Sequence, residues 1–251
     1  MYLAYRSLLL LLLAMLATSC VTEVTGGIPG PASDERQARA QLDLARGYMA
    51  QGDYSRARVP LLKALEIEPR KAEGHVLLAV LLTAEQEYEL AEARYKLALK
   101  YDRQNALALN NYGSFLYERG RFSDSVQMLL RLVKDTNYPG RSQAFENLGL
   151  AQLFAGDQSA AEAAFVRALE LNSSQSRASL ELADLSYARG DYEAAEAHLL
   201  TYKALAKQSA RSFCLALKLA THAGDEDEIL RYTLALKNLF PEQADQCQAK
   251  S

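Results

Sequence analysis

Two hydrophobic patterns divide this chain. Leu8 to Ala17 is an unbroken apolar run of ten residues, whereas from about residue 36 apolar residues are spaced among polar ones in stretches of helical length. A run that short falls well below the roughly 20 residues a membrane-spanning helix needs. It follows a segment whose positive side chain is Arg6, so residues 1–19 read as a secretory signal. In the spaced region Ala and Leu are abundant, β-branched residues do not cluster and no apolar-polar alternation recurs. Helices are predicted throughout, and no strand.

The spacing is periodic. QGDYSRA (51–57), RGRFSDS (119–125), AGDQSAA (155–161), RGDYEAA (189–195) and AGDEDEI (223–229) place Gly52, Gly120, Gly156, Gly190 and Gly224 at intervals of 68, 36, 34 and 34. The turn missing from the 68-residue interval falls at Gln86-Glu87-Tyr88, without a glycine. A period of 34 is that of the tetratricopeptide repeat, two antiparallel helices joined by a tight turn. The expected fold is all-α, a right-handed superhelical solenoid of six repeats at 38–71, 72–105, 106–141, 142–175, 176–209 and 210–243, with 244–251 as a cap. Repeat three is two residues longer, around Asn137-Tyr138-Pro139.

Close helix crossing needs small residues at motif positions eight and twenty. Ala45, Ala79, Gly113, Gly149 and Ala183 meet that need at the first, and Ala57, Ala91, Ser125, Ala161 and Ala195 at the second. Repeat six has Leu217 and Ile229 instead, the degeneracy expected of an end repeat. Expected core residues are Leu44, Leu78, Tyr112, Leu148 and Leu182 on first helices, and Leu61, Tyr95, Leu129, Phe165 and Leu199 on second helices. Each Gly-Asp turn supplies a residue tolerant of positive φ and a helix cap. Pro60 lies inside the second helix of repeat one and is expected to kink it.

Ahead of the repeats, Ala17-Thr18-Ser19 precede Cys20 as small residues do in the lipobox of bacterial lipoproteins, although Ala17 stands where Leu is commoner. Cleavage before Cys20 and acylation of that residue would fix the chain to a membrane, since each buried methylene contributes about 0.8 kcal/mol. An ordinary cleaved signal with a chance cysteine is the other reading. Residues 20–35, rich in glycine and proline near their start, are expected to be a flexible tether.

Charge and chemistry narrow the functions. The formal net charge is −3, and −4 without residues 1–19, so no basic excess points to nucleic acid. His75, His198 and His222 are scattered without metal spacing, and no phosphate loop or nucleophile motif occurs. No metal, cofactor or small-molecule substrate is expected, and the chain is not read as an enzyme. Asp225-Glu226-Asp227-Glu228 is best explained as carboxylates at a helix N-terminus. Cys214 and Cys247 form an even pair in a chain expected to be exported, which invites a disulfide. Residue order alone leaves open whether they reach bridging distance.

Solenoid first helices line a concave groove suited to partner segments. Positions two, five, nine and twelve supply Leu42, Arg46, Met49, Val76, Val80, Thr83, Leu107, Asn110, Ser114, Tyr117, Glu146, Leu150 and Leu153.

KALEIEP (63–69), NNYGSFLYERGRF (110–122), YPGRSQAFENLGLAQL (138–153) and LELADLSYARGDY (180–192) resemble the type IV pilus biogenesis lipoproteins called PilW or PilF. The resemblance runs from Cys20 through all six repeats and includes the extension of repeat three. It implies a pilotin, an outer-membrane lipoprotein on the periplasmic face that binds subunits of the type IV pilus secretin and promotes their localisation and multimerisation. It also favours Asn110, Tyr112, Phe115 and Tyr117 as partner contacts, with Tyr112 doubling as a core position. The alternatives are a scaffold stabilising pilus fibres and a regulator of a cell-wall synthase.

Overall fold

The structure, a computed structural model, describes residues 31–248. The expected signal, Cys20 and most of the expected tether lie outside the described residues. Thirteen α-helices and no strand are present among them. Six antiparallel pairs stack in order: α1 (Pro31–Ala50) with α2 (Tyr54–Ile67), α3 (Ala72–Ala84) with α4 (Tyr88–Tyr101), α5 (Ala106–Glu118) with α6 (Phe122–Leu132), α7 (Arg141–Phe154) with α8 (Gln158–Leu171), α9 (Ser176–Arg189) with α10 (Tyr192–Leu205), and α11 (Ala210–Ala223) with α12 (Glu226–Leu239). A last helix, α13 (Pro241–Gln248), packs on α11 and α12. No helix among the described residues is long and apolar enough to cross a membrane.

Turn chemistry explains the pairing. Gly52, Gly120, Gly156, Gly190 and Gly224 all have positive φ, and where the glycine is missing Gln86 adopts φ 65°. Asp53, Asp157, Asp191 and Asp225 follow four of these glycines, and each accepts a hydrogen bond from a backbone N–H in the next helix's first turn. At Asp53 that backbone bond, then the Arg56 guanidinium, hold the carboxyl below its ordinary value. The acidic run behaves likewise: Asp225 caps α12, and Glu226, Asp227 and Glu228 occupy its first turn.

Small residues set the helix spacing. A Cβ on Gly149 would stand 2.6 Å from Cε1 of Phe165, which is fully buried. Ser125 is also fully buried, and its hydroxyl donates to the Gly113 carbonyl at 2.7 Å. Leu78, Tyr112, Leu148 and Leu182 are buried at the equivalent position of repeats two to five. Leu44 is not: it is 47% exposed, because no element among the described residues precedes α1 to cover that face.

Two boundaries and the role of one proline differ from expectation. The helix begins at Pro31 rather than after residue 35, since Pro fits a first helical position and Asp34 favours the N-terminal dipole. Helix α2 runs through Pro60, whose ring is buried beside Ala57 and Leu61, so the proline serves as core. Proline lacks the N–H that would return to the Arg56 carbonyl, so the helix continues without that one bond. The cap begins at Pro241, again a helix-opening proline, and takes in the last residues assigned to repeat six. Ahead of α7, residues 133–140 form an eight-residue connector held by Arg141 Nε donating to the Val133 carbonyl at 2.9 Å.

Candidate functional site: the groove of the first helices

The groove-facing positions divide sharply. Arg46 and Leu107 are exposed, and Met49, Val80, Thr83, Asn110, Ser114, Tyr117 and Leu153 are half-buried. Leu42, Val76, Tyr112, Phe115, Glu146 and Leu150 are buried, so six residues expected in the groove are largely withdrawn from it. First helices of consecutive repeats touch, and at Leu42, Val76 and Glu146 position five is spent on that contact. Leu42 and Val76 pack in one continuous cluster with Leu78 and Leu61.

Tyr112 and Phe115 are structural for a second reason. Tyr112 stacks on Tyr95 with ring centroids 5.3 Å apart, and Phe115 lies 5.4 Å from Tyr95. The Tyr112 hydroxyl donates to Glu92 Oε1 at 2.8 Å, and burial together with that carboxylate pushes its pKa far up. Glu92 also receives Lys96 and Arg121, each at 2.8 Å. Burial pushes the Glu92 carboxyl up, but hydrogen bonds from Lys96, Arg121 and Tyr112 outweigh it and hold the group at about 2.

Glu146 has become a helix cap. Its Oε2 accepts the Ala178 N–H at 3.1 Å in the first turn of α9, and its Oε1 accepts from Gln143 Nε2 at 2.8 Å. Gln175, at the N-cap itself, makes no side-chain cap, so the carboxylate of the preceding repeat does that work.

The structure brings Ser114, Tyr117 and Leu150 together. With Glu118, Asn147 and Arg177 they line a recess of about 190 Å³ at repeats three to five. Tyr117 also meets Phe122 and Phe154 edge-on at 5.4 and 5.5 Å, and Phe122 and Phe154 lie 5.2 Å apart. Phe154 is 56% exposed, so this aromatic triangle opens to solvent beside the recess. Burial raises the Tyr117 hydroxyl pKa, and the nearby Arg177 guanidinium opposes that rise. Aromatic faces, an amide and a guanidinium suit a non-covalent grip on an apolar side chain and the backbone around it.

Sequence reasoning missed Glu118, Phe122, Asn147, Phe154 and Arg177. Arg177 was within reach, since it holds position two of repeat five and the same register extended by one repeat finds it. Phe122 and Phe154 flank the Gly turns, where periodicity assigns no groove position.

The remaining singled-out residues have structural settings. His75 Nε2 lies 2.9 Å from the Pro69 carbonyl, and burial lowers its pKa. His222 stacks on Tyr192 with centroids 3.5 Å apart. Among the described residues no group of three His, Cys, Asp or Glu side chains converges as metal ligands would. Cys214 on α11 and Cys247 on α13 have Cα atoms 5.4 Å apart and are joined as a disulfide. They lie 33 residues apart, about one repeat, so they occupy neighbouring equivalents in the stack.

Comparison with known proteins agrees with this architecture. A tetratricopeptide-repeat family model matches residues 42–100, 76–142 and 146–210. A Pseudomonas aeruginosa protein described as type IV pilus assembly protein PilF is 41% identical over 240 residues, 94% of each chain. The chain belongs to the PilF-like tetratricopeptide-repeat family. A solved structure from the functional characterisation of Pseudomonas aeruginosa pilF superposes on this PilF-like chain with TM-score 0.81 at 40% identity, covering 87% of this chain and 99% of that one. The crystal structure of PilW, described as a widely conserved type IV pilus biogenesis factor, gives TM-score 0.71 at 25% identity, covering 81% and 94%.

Proposed function

We propose that this protein acts in type IV pilus biogenesis as a pilotin: an outer-membrane lipoprotein, anchored through Cys20, that binds secretin subunits and promotes their localisation and multimerisation. The near-full-length likeness to a type IV pilus assembly protein carries the reading. The recess beside Tyr117, Phe122 and Phe154 supplies a grip, on the first helices of repeats three to five and the start of α6. Anchor and grip together raise the effective concentration of a partner at the membrane.

Two variants test it, with membrane fractionation and unheated gels probed for secretin multimers. Cys20→Ala should release the protein from membranes and deplete multimers from the outer membrane. Phe154→Ala should leave the protein anchored while multimers fall. Normal multimers in cells lacking the protein would overturn the pilotin role and favour a scaffold of pilus fibres. Co-purification of a cell-wall synthase in place of secretin would favour the third reading.

A further inference from the structure

A second surface shares no lining residue with the recess at Tyr117. Where α4 ends and α6 passes beside it, a cleft of about 810 Å³ opens, lined by Lys96 and Lys100 of α4, Arg103 of the following connector and Arg131 of α6. Leu99 and Met128 form apolar parts of its wall, and no carboxylate lines it. Four cations around one recess stand out in a chain whose formal net charge is −3.

The neutralisation of these cations is incomplete. Lys96 pairs with Glu92 at 2.8 Å, but Glu92 is shared with Arg121. Arg131 donates to the Arg103 carbonyl and lies 3.8 Å from Met128 Sδ, contacts that orient its guanidinium without cancelling its charge. Among the described residues Lys100 and Arg103 have no carboxylate within ion-pair distance, and both are exposed. Lys100 and Arg131 sit in last turns, where helix dipoles favour cations, and that accounts for part of the pattern. Arg103 lies outside any helix, and the dipole gives no reason for it to join them.

We propose that this cleft docks an acidic segment of a protein partner: an extended stretch with two or more carboxylates around an apolar side chain. Charge complementarity sets the sign of the occupant, and guanidinium forks match carboxylate geometry. The volume lies in the range of roughly 300–1,000 Å³ that holds organic ligands, well beyond what one phosphate ion fills. Leu99 and Met128 give the occupant's apolar side chain a seat, which a lone anion would leave unused.

The test uses the purified full chain and fluorescence anisotropy with a short fluorescein-labelled peptide alternating Glu and Leu. Lys100→Glu with Arg103→Glu should weaken binding about tenfold, and added salt should weaken wild-type binding. A charge-matched control, Lys63→Glu with Lys237→Glu, should bind as wild type does, and a peptide with Gln in place of Glu should bind none of the proteins. Equal affinity in all three proteins would overturn the site. Binding to phosphatidylglycerol vesicles in place of the peptide would assign the patch to a membrane surface, and full displacement of the peptide by equimolar inorganic phosphate would reduce it to an anion site. Unchanged melting temperatures establish that the variants fold; if the reversals lower them, Lys100→Gln with Arg103→Gln replaces that pair under the same criteria.

Discussion

The early and late halves of the solenoid are joined by different chemistry. From repeat one to repeat three, Leu42, Leu61, Val76, Leu78, Tyr95, Tyr112 and Leu116 belong to one continuous buried cluster, with the ion pair Arg46–Glu73 at 3.2 Å and the Glu92 cluster at its rim. Later junctions add buried polar or covalent ties. Glu146 caps α9, Arg211 bridges Glu181 and Asp184 with bonds of 2.6–2.7 Å, and the Cys214–Cys247 disulfide holds α13. Glu181 is 4% exposed and takes a bidentate guanidinium, so its burial is compensated. Burial raises the Asp184 carboxyl, and Arg211 only partly opposes it. The lesson is that stacking can be secured in two ways: the early repeats share one apolar cluster, whereas Glu146, Glu181 and Cys247 each tie their helix to a neighbouring one by a specific bond.

The largest expected effect strikes the apolar half. Leu61 is fully buried, and Leu61→Ala should cost about 2–5 kcal/mol, read as a lowered denaturation midpoint. Hydrogen exchange should show the loss centred on repeats one and two, because each repeat contacts only its neighbours. Uniform loss across the chain would mean that the halves unfold as one.

Next comes the covalent tie. Cys247→Ser should cost about 3 kcal/mol, with hydrogen exchange rising in α11 to α13 and leaving α1 to α6 protected. Unaltered exchange in α13 would show that Ala244 and its apolar neighbours suffice to hold the cap.

The Glu92 cluster sharpens the contrast through pH and should have a smaller effect, because Lys96 and Arg121 are substantially exposed. The folded carboxyl is held at about 2 against an ordinary 4.5, so its stabilisation is present above 4.5 and is lost as pH falls towards 2. Glu92→Gln should therefore lower the melting temperature at neutral pH, with the difference from wild type shrinking across that window. Asp184 has the opposite sign: its raised folded value destabilises above that value, and protonation relieves the penalty as pH falls.

The smallest effect is a gain. Gln86 holds a positive φ of 65° in the one turn of the series without glycine. Gln86→Gly should stabilise by about 0.5–1 kcal/mol, the left-handed penalty of a side chain less the entropy glycine loses. An unchanged or lower melting temperature would show that the Gln86 side chain makes an offsetting contribution.

Residue order by itself determined the repeat, its register, the turns and the small crossing residues. These follow from backbone conformation and local packing, which a 34-residue period writes directly into the chain. It also brought Cys214 and Cys247 under suspicion, as an even pair in a chain expected to be exported. Only the tertiary structure decided which groove positions stay open. Leu42 and Glu146 share a register position, yet one joins an apolar cluster and the other caps the next repeat's helix. Leu44 and Leu78 share another, and the first is exposed because no element among the described residues packs over it. The aromatic triangle of Tyr117, Phe122 and Phe154 and the cation cleft at Lys100, Arg103 and Arg131 draw on different repeats and connectors. Their residues meet only when neighbouring repeats stack, because periodicity fixes what a position faces within a repeat and stacking fixes what faces it from the next.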